Sequence, residues 1–128
     1  MYLIDTDILV SLGRGNVNIQ ARMSRAGINN CVLSEISLAE LYVGFYKSPG
    51  KDNLLEFIEK RMNVIPITQA LKTYALIRAR LENDGNRLED NDIFIAATAL
   101  VNDYTLVTHN TRHFSRIPNL KLEDWIEE

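Results

Sequence analysis

Apolar residues in this 128-residue chain occur in short runs that are separated by longer segments with helical spacing. A short, nearly continuous apolar run predicts a strand that is buried on both faces, as strands of parallel sheets are. The runs are Tyr2–Ile4, Cys31–Leu33, Val64–Ile67, Thr105–Thr108 and, as a further candidate, Leu120–Leu122. Pro66 cannot donate to a sheet ladder, so the third run is predicted at a sheet edge or at a strand end.

The segments between these runs predict helices. They are Ile8–Leu12, Val17–Ala26, a segment from Ser37 to a break at Ser48–Gly50, Asn53–Met62, a long helix capped by Thr68 that ends at Asp84–Asn86, and Asp92–Leu100; residues 109–114 are predicted as a loop. Parallel strands need crossover connections, so alternating strands and helices predict a parallel sheet. The expected fold class is α/β, a three-layer α/β/α sandwich around a mainly parallel sheet of four to five strands.

Composition narrows the classes of protein to consider. Hydrophobic residues make up 46% and charged residues 24% of the chain, so we expect one globular domain over residues 1–128. The net charge of −3 excludes binding of nucleic acid through bulk positive charge. The single cysteine, Cys31, cannot form an internal disulfide, as expected in a reducing cytosol. No basic leader and no membrane-length apolar run are present, so a cytoplasmic protein with no membrane partner is expected.

Several acidic residues stand where strands end or helices begin. Asp5 directly follows the first apolar run, and an unpaired buried charge is costly, so a functional role is predicted for it. Asp7 is predicted as a helix N-cap. Ser37 and Glu40 have capping-box spacing, in which the glutamate reaches back to the cap residue's N–H. Asp90 and Asp92 stand at a helix start, where one of them is predicted as the cap.

Taken together, Asp5, Glu40 and Asp92 are expected at one edge of one sheet, where ligands of open α/β folds bind. Three converging carboxylates would raise one another's pKa unless a cation lay between them. Oxygen ligands select hard cations, so Mg²⁺ or Mn²⁺ is predicted. Such a centre can activate water and stabilise charge on a phosphodiester.

Five segments in this order resemble the PIN-domain nucleases, and within them the VapC-like toxins of toxin–antitoxin pairs. The segments are Leu3–Leu9, Ser34–Leu41, Asn91–Ala99, Leu106–Asn110 and Leu120–Trp125. The resemblance implies that Asp5, Glu40 and Asp92 are metal-binding catalytic acids. It also implies that Asn110, after Thr108, occupies the position of a fourth polar or acidic group.

The resemblance further implies an endoribonuclease that hydrolyses RNA with Mg²⁺ or Mn²⁺, with Glu40 as metal ligand or proton acceptor. Thr6 and Asn110 would orient the acids or the phosphate, and Thr108 is a further supporting residue. The chain departs from the family pattern at two positions: Asp7 stands where the family commonly has Asn, which adds a charge, and the neutral Asn110 stands where many relatives have a fourth acid. Asp7 or Asp90 could supply the charge that is missing at Asn110.

The implied partners are an RNA substrate, a cognate VapB-like antitoxin with a basic side chain for the acidic pocket, and a second copy of the chain. RNA contacts would come from arginines around the rim. The candidates are Arg14, Arg78, Arg80, Arg87 and Arg112.

Three other classes of function compete with this interpretation. A phosphoacceptor receiver domain would need a lysine after a late strand, and Thr108–Asn110 contains none. His109 and His113 could form a metal-free acid/base pair or half of a zinc site, although both are predicted on a loop surface. A non-catalytic RNA-binding or partner-binding domain is disfavoured, because all three acids are present.

Overall fold

The sheet of this protein is parallel throughout, as the alternating pattern predicts. The computed structural model describes residues 1–126, and within them five strands pair in the order β3-β2-β1-β4-β5. The strands are β1 (Tyr2–Ile4), β2 (Cys31–Ser34), β3 (Asn63–Ile65), β4 (Thr105–Val107) and β5 (Leu122–Glu123). β3 lies at an edge and ends before Pro66, which confirms the position that the proline predicted.

Helices connect the strands and cover both faces of the sheet. They are α1 (Thr6–Gly13), α2 (Val17–Ala26), α3 (Glu35–Lys47), α4 (Asn53–Arg61), α5 (Leu71–Asn83), α6 (Asp90–Asn102) and α7 (Thr111–Phe114), with 3₁₀ turns at Ile28–Asn30 and Thr68–Ala70. The predicted α/β class is therefore confirmed. Among these helices, none is both long enough and apolar enough to cross a membrane.

Two apolar cores lie on opposite faces of the sheet because successive strand residues point in opposite directions. Leu3 and Leu106 face a core built with α5 and α6, to which Ile95 and its neighbours contribute. Ile4 and Val107 face the other core, which is built with α1 to α4. α6 contributes six buried residues, as its apolar sequence predicts. The result is the expected three-layer arrangement.

Two predicted helix starts are wrong. Ser34 caps α3, because its hydroxyl oxygen accepts a hydrogen bond from the N–H of Ile36 at 3.1 Å. Ser37 therefore lies inside the helix, and the predicted capping box does not form. Thr68 lies in a 3₁₀ turn, and α5 begins after Ala70 without a side-chain cap. Local sequence could not distinguish Ser34 from Ser37, since both are common cap residues.

Two further elements near the C-terminal end differ from the prediction. Residues 111–114 form the short helix α7 within the predicted loop, and Phe114 is buried in the core. The last strand is Leu122–Glu123 instead of Leu120–Leu122. Its pairing with β4 holds the following Trp125 against the opposite core.

The order of the strands places a crevice at one edge of the sheet. From β1 the chain continues to β2 on one side, whereas β4 pairs with β1 on the other side. Ligands of open α/β sheets bind at such a switch point, beyond the carboxyl ends of the strands. Asp5 and Thr108 immediately follow β1 and β4, and the Asp5 N–H donates to the Val107 carbonyl at 2.9 Å. The fold thus places these two side chains next to each other.

Trp125 anchors the last strand, and its truncation provides a test of the packing. Its side chain is buried, its ring centroid lies 5.1 Å from that of Tyr2, and its indole N–H donates to Glu123. Trp125→Ala should lower the free energy of unfolding by about 3–5 kcal/mol in urea denaturation. Val17→Ala, at an exposed position, should change it by less than about 0.5 kcal/mol. Equal effects of the two variants would contradict this packing.

Candidate active site

Asp5 is the buried acid at the end of β1. It is 7% exposed, and it caps α1, since Oδ1 accepts a hydrogen bond from the Thr6 N–H at 2.8 Å. Oδ2 accepts a hydrogen bond from the Thr108 hydroxyl at 2.9 Å. Asp5 is therefore both the helix cap and the most buried acid of the site.

Asp7 does not cap α1, so that prediction is wrong. It lies in the first turn, and its Oδ1 accepts a hydrogen bond from the Ile8 N–H at 2.7 Å. Its Oδ2 accepts one from the His109 N–H at 3.1 Å and lies 3.5 Å from the Thr108 hydroxyl. Asp7 therefore ties the start of α1 to the segment that follows β4.

The side chain of Glu40 does not cap its own helix, α3, but accepts a hydrogen bond from a residue of α1. It lies in the second turn of α3, and its Oε1 accepts a hydrogen bond from the Thr6 hydroxyl at 2.7 Å. Because Thr6 directly follows Asp5, this bond brings the Glu40 carboxylate to the carboxyl end of β1. Among the roles considered for Glu40, capping is excluded, and those of metal ligand and proton acceptor remain.

Asp92 enters the site from the first turn of α6. Glu89 occupies the N-cap position of this helix, although its side chain makes no capping hydrogen bond. Neither Asp90 nor Asp92 is therefore the N-cap, so that prediction is wrong. Asp92 Oδ2 lies 3.2 Å from Nε2 of His113, on α7. The contact joins α6 to the segment after β4.

Asp90 and Asn110 are not brought into this cluster. The Asp90 carboxylate accepts a hydrogen bond from the Tyr74 hydroxyl at 2.8 Å and lies 3.3 Å from Arg78, both on α5. Asn110 is exposed, and its backbone N–H donates to the Thr108 hydroxyl at 3.1 Å. Within residues 1–126 the Asn110 side chain makes no hydrogen bond with the acids. The side chain of this segment that contacts one of the three acids is that of His113, beside Asp92.

The sequence pattern offers His113 only as a partner of His109 and does not indicate its contact with Asp92. A histidine in a polar segment resembles a surface residue, and its neighbour His109 is indeed half-exposed, with Nδ1 2.9 Å from Asp124. Phe114 was the available signal, because a large apolar residue at this position indicates that the segment folds back onto the core. The two histidines thus pair with different carboxylates, which does not favour a shared acid/base mechanism.

The carboxylates are coupled electrostatically. Burial raises the pKa of Asp5 to about 7, and the charges of Asp7 and Asp92 contribute in the same direction. Burial likewise raises the pKa of Asp7 and that of Asp92. The neighbouring Glu40 also raises the pKa of Asp92, whereas His113 lowers it. A positive charge between these acids would relieve this repulsion.

The donor chemistry fits a divalent cation, although the present side-chain positions do not enclose one. Asp5, Glu40 and Asp92 offer hard oxygen atoms, which suit Mg²⁺ and Mn²⁺. In residues 1–126, however, no three acidic, histidine or cysteine side chains converge on one point. Each acid is instead engaged by a protein donor, so cation binding requires these side chains to reorient.

The sequence of this chain matches a known domain family and named relatives. A model of the PIN domain matches residues 2–120 of the chain. Among relatives in sequence, ribonuclease VapC2 of Rickettsia felis and ribonuclease VapC1 of Haemophilus influenzae are each 34% identical, with 98% of both chains covered. The chain therefore matches these relatives over nearly their whole length.

Solved structures show the same relationship. The structure of VapBC2 from Rickettsia felis, bound to a DNA fragment from its promoter, contains a chain with a TM-score of 0.88 and 32% identity, covering 97% of this chain and 98% of that one. The structure of VapBC-1 from nontypeable Haemophilus influenzae contains a chain with a TM-score of 0.85 and 32% identity, and the match covers 97% of each chain. By fold, sequence and match to the domain model, this chain belongs to the PIN-domain family, and within it to the VapC ribonucleases.

Proposed function

We propose that this protein is a metal-dependent endoribonuclease, with Asp5, Glu40 and Asp92 as its catalytic acids. The observation that carries the proposal is that three different elements bring these acids to the switch point of the sheet, where the pKa values of Asp5 and Asp92 are raised. The names of its relatives, ribonuclease VapC, support RNA as the substrate. We propose that residues 1–128 form one nuclease domain, because both apolar cores pack against the same sheet.

The acids would divide the work of hydrolysis. Asp5 and Asp92 would hold Mg²⁺ or Mn²⁺, which when bound lowers the pKa of water and stabilises charge on the phosphodiester. Glu40 would either bind the same cation or accept the proton of the attacking water. Thr108 and Thr6 would hold Asp5 and Glu40 in place, because each hydroxyl donates to one carboxylate. Asp7 would fix the segment after β4 from which His113 enters.

We further propose that the protein is a toxin held inactive by a VapB-like antitoxin. The support is that structural neighbours of this chain are VapBC complexes. A basic side chain of the antitoxin would pair with the acids and compete with a cation for them. We propose the cytoplasm as the compartment; the buried free thiol of Cys31, whose pKa burial raises to about 11, suits reducing conditions.

RNA would reach the acids along the rim next to α7. Arg112 is exposed on that helix, beside His113, and is the arginine we favour for phosphate contacts. Arg78 is less suitable, because its guanidinium already pairs with Glu82 and Asp90. Arg112→Ala should therefore weaken RNA binding in a salt-dependent manner, whereas an unchanged affinity would remove Arg112 from the interface.

We propose a homodimer through the exposed apolar residues of α3. Val43 and Tyr46, three positions apart on this helix, are 53% and 75% exposed. Exposed apolar groups mark interaction surfaces when they lie together. Sedimentation of the purified protein tests the proposal: Tyr46→Glu should shift a dimer to monomer, and a monomeric wild-type protein at every concentration would refute it.

Cleavage of RNA tests the roles of the acids. Asp5→Asn or Asp92→Asn should lower kcat/KM with Mg²⁺ or Mn²⁺ by about 100-fold or more, because each removes a charge that holds the cation. Asp90→Asn is the matched control, since its carboxylate faces α5 and its loss should leave activity within about threefold. EDTA should abolish cleavage. Cleavage that survives both EDTA and the two variants would refute the carboxylate mechanism.

The stability of the cation-free protein should depend on the ionisation of Asp5. Its folded-state pKa of about 7 lies above the ordinary value of 3.8, so folding favours the protonated carboxyl. This contribution is fully present below about pH 3.8 and is lost progressively up to about pH 7, because over this range the unfolded chain ionises the carboxyl whereas the folded protein keeps it protonated. Wild-type protein in EDTA should therefore lose stability between about pH 4 and pH 7, and this loss should level off above pH 7.

Asp5→Asn removes this titration and nearly preserves the shape of the side chain. Relative to wild type, the variant should gain stability as the pH is raised from about 5 to about 8, by up to a few kcal/mol. Thermal melts in EDTA at both pH values measure the difference. Mg²⁺ should stabilise the wild type more than the variant. Parallel pH profiles for the two proteins would show that Asp5 ionises normally.

A further inference from the structure

The three catalytic acids are held by donors of different chemistry. Asp5 and Glu40 each accept a hydrogen bond from a threonine hydroxyl, that of Thr108 and that of Thr6. Asp92 instead approaches the imidazole of His113. A hydroxyl is a weak ligand for a divalent cation, whereas a neutral imidazole is a common one. The Asp92–His113 pair therefore differs from the two acid–threonine pairs, because its donor residue can itself bind a divalent cation.

The spacing of this pair suits two ligands of one ion. Nε2 of His113 and Oδ2 of Asp92 are 3.2 Å apart. Two neighbouring ligands of an octahedral ion with bonds of about 2.1 Å are separated by about 3 Å, so both atoms could bind one cation with little movement. As a ligand, His113 would keep its proton on Nδ1 and present the Nε2 lone pair.

The backbone around His113 is anchored on both sides. Phe114 is 1% exposed and packs in the core formed with α6, which carries Asp92. The Asn110 N–H donates to the Thr108 hydroxyl, which in turn donates to Asp5. These contacts link the residue before α7 to Asp5 through Thr108, and the burial of Phe114 places α7 beside α6, which carries Asp92. The imidazole is therefore placed at the cluster by the fold, and its side chain is 27% exposed.

We propose that His113 is a nitrogen ligand of the divalent cation and biases this site toward Mn²⁺ over Mg²⁺. The inference rests on the proposed function, because it assumes that the acids bind a cation. Both ions bind carboxylate and water oxygens, but Mn²⁺ belongs to the transition-metal series, whose ions also bind nitrogen ligands, whereas Mg²⁺ does not, so one imidazole nitrogen among the oxygens favours Mn²⁺. The all-oxygen centre expected from the sequence becomes a centre with one nitrogen.

His109 provides a matched control on the same segment. Its ring lies 2.9 Å from Asp124, and its side chain is 47% exposed. It therefore pairs with a carboxylate as His113 does, but with one outside the catalytic triad of acids. His109→Gln should leave a cation-bound nitrogen signal unchanged, because its ring contacts Asp124, which is not one of the three acids, and the variant keeps the backbone N–H that donates to Asp7.

Pulsed EPR of bound Mn²⁺ tests the proposal directly, since a coordinated imidazole nitrogen modulates the echo. The probe is Mn²⁺ alone, added to full-length protein that has been stripped with EDTA. Wild type and His109→Gln should show the nitrogen coupling, and His113→Gln should lack it. Calorimetric titration should show that His113→Gln weakens Mn²⁺ binding by about 10-fold or more and Mg²⁺ binding by less than about threefold.

A second variant keeps the test independent of whether His113→Gln folds well. His113→Asp restores a ligand but supplies oxygen, so it should remove the nitrogen coupling and shift the preference toward Mg²⁺. Bound Mn²⁺ without nitrogen coupling in the wild type would overturn the role of His113 and leave the proposed nuclease intact. Wild-type protein that binds neither Mn²⁺ nor Mg²⁺ would overturn both.

Discussion

The buried carboxylate of Asp5 is the constraint on which the rest of the site depends. A charge at the carboxyl end of a central strand, 7% exposed, is unfavourable unless donors or a cation compensate it. The fold supplies two donors, the N–H at the start of α1 and the hydroxyl of Thr108. These do not suffice, since the pKa of Asp5 still rises to about 7. Burial, together with the neighbouring charges of Asp7 and Asp92, therefore disfavours the ionised carboxyl, and a positive charge at this edge of the sheet would offset this cost.

Thr6 and Thr108 connect this constraint to the neighbouring elements. Thr6 donates its N–H to Asp5 and its hydroxyl to Glu40, so one residue aligns two acids from different elements. Thr108 likewise donates to Asp5 and accepts from the Asn110 N–H, which fixes the start of α7. Residues that hydrogen-bond metal ligands orient them and tune their basicity. In the proposed metal site, this role would fall largely to backbone and threonine donors.

Most of the fold could be predicted from the chain because its signals are local or periodic. The apolar run before Asp5 and the alanine-rich segment after Asp92 predicted a buried strand and a buried helix correctly. Helix starts were less predictable, because several residues near each start can act as caps. Ser34 and Asp5 took the capping roles expected of Ser37 and Asp7. In each case the tertiary position of the preceding strand selected the cap.

The sequence by itself determined the α/β class, the order of strands and helices, and the presence of acids at the ends of strands, because hydrophobic period and turn residues act over a few positions. The tertiary structure decided which acids meet. It turned Asp90 toward α5 and brought His113, 21 positions from Asp92, into contact with that acid. The physical reason is that a side chain's partner depends on packing between distant segments: Phe114 enters the core formed with α6, and its burial carries the preceding histidine to the site.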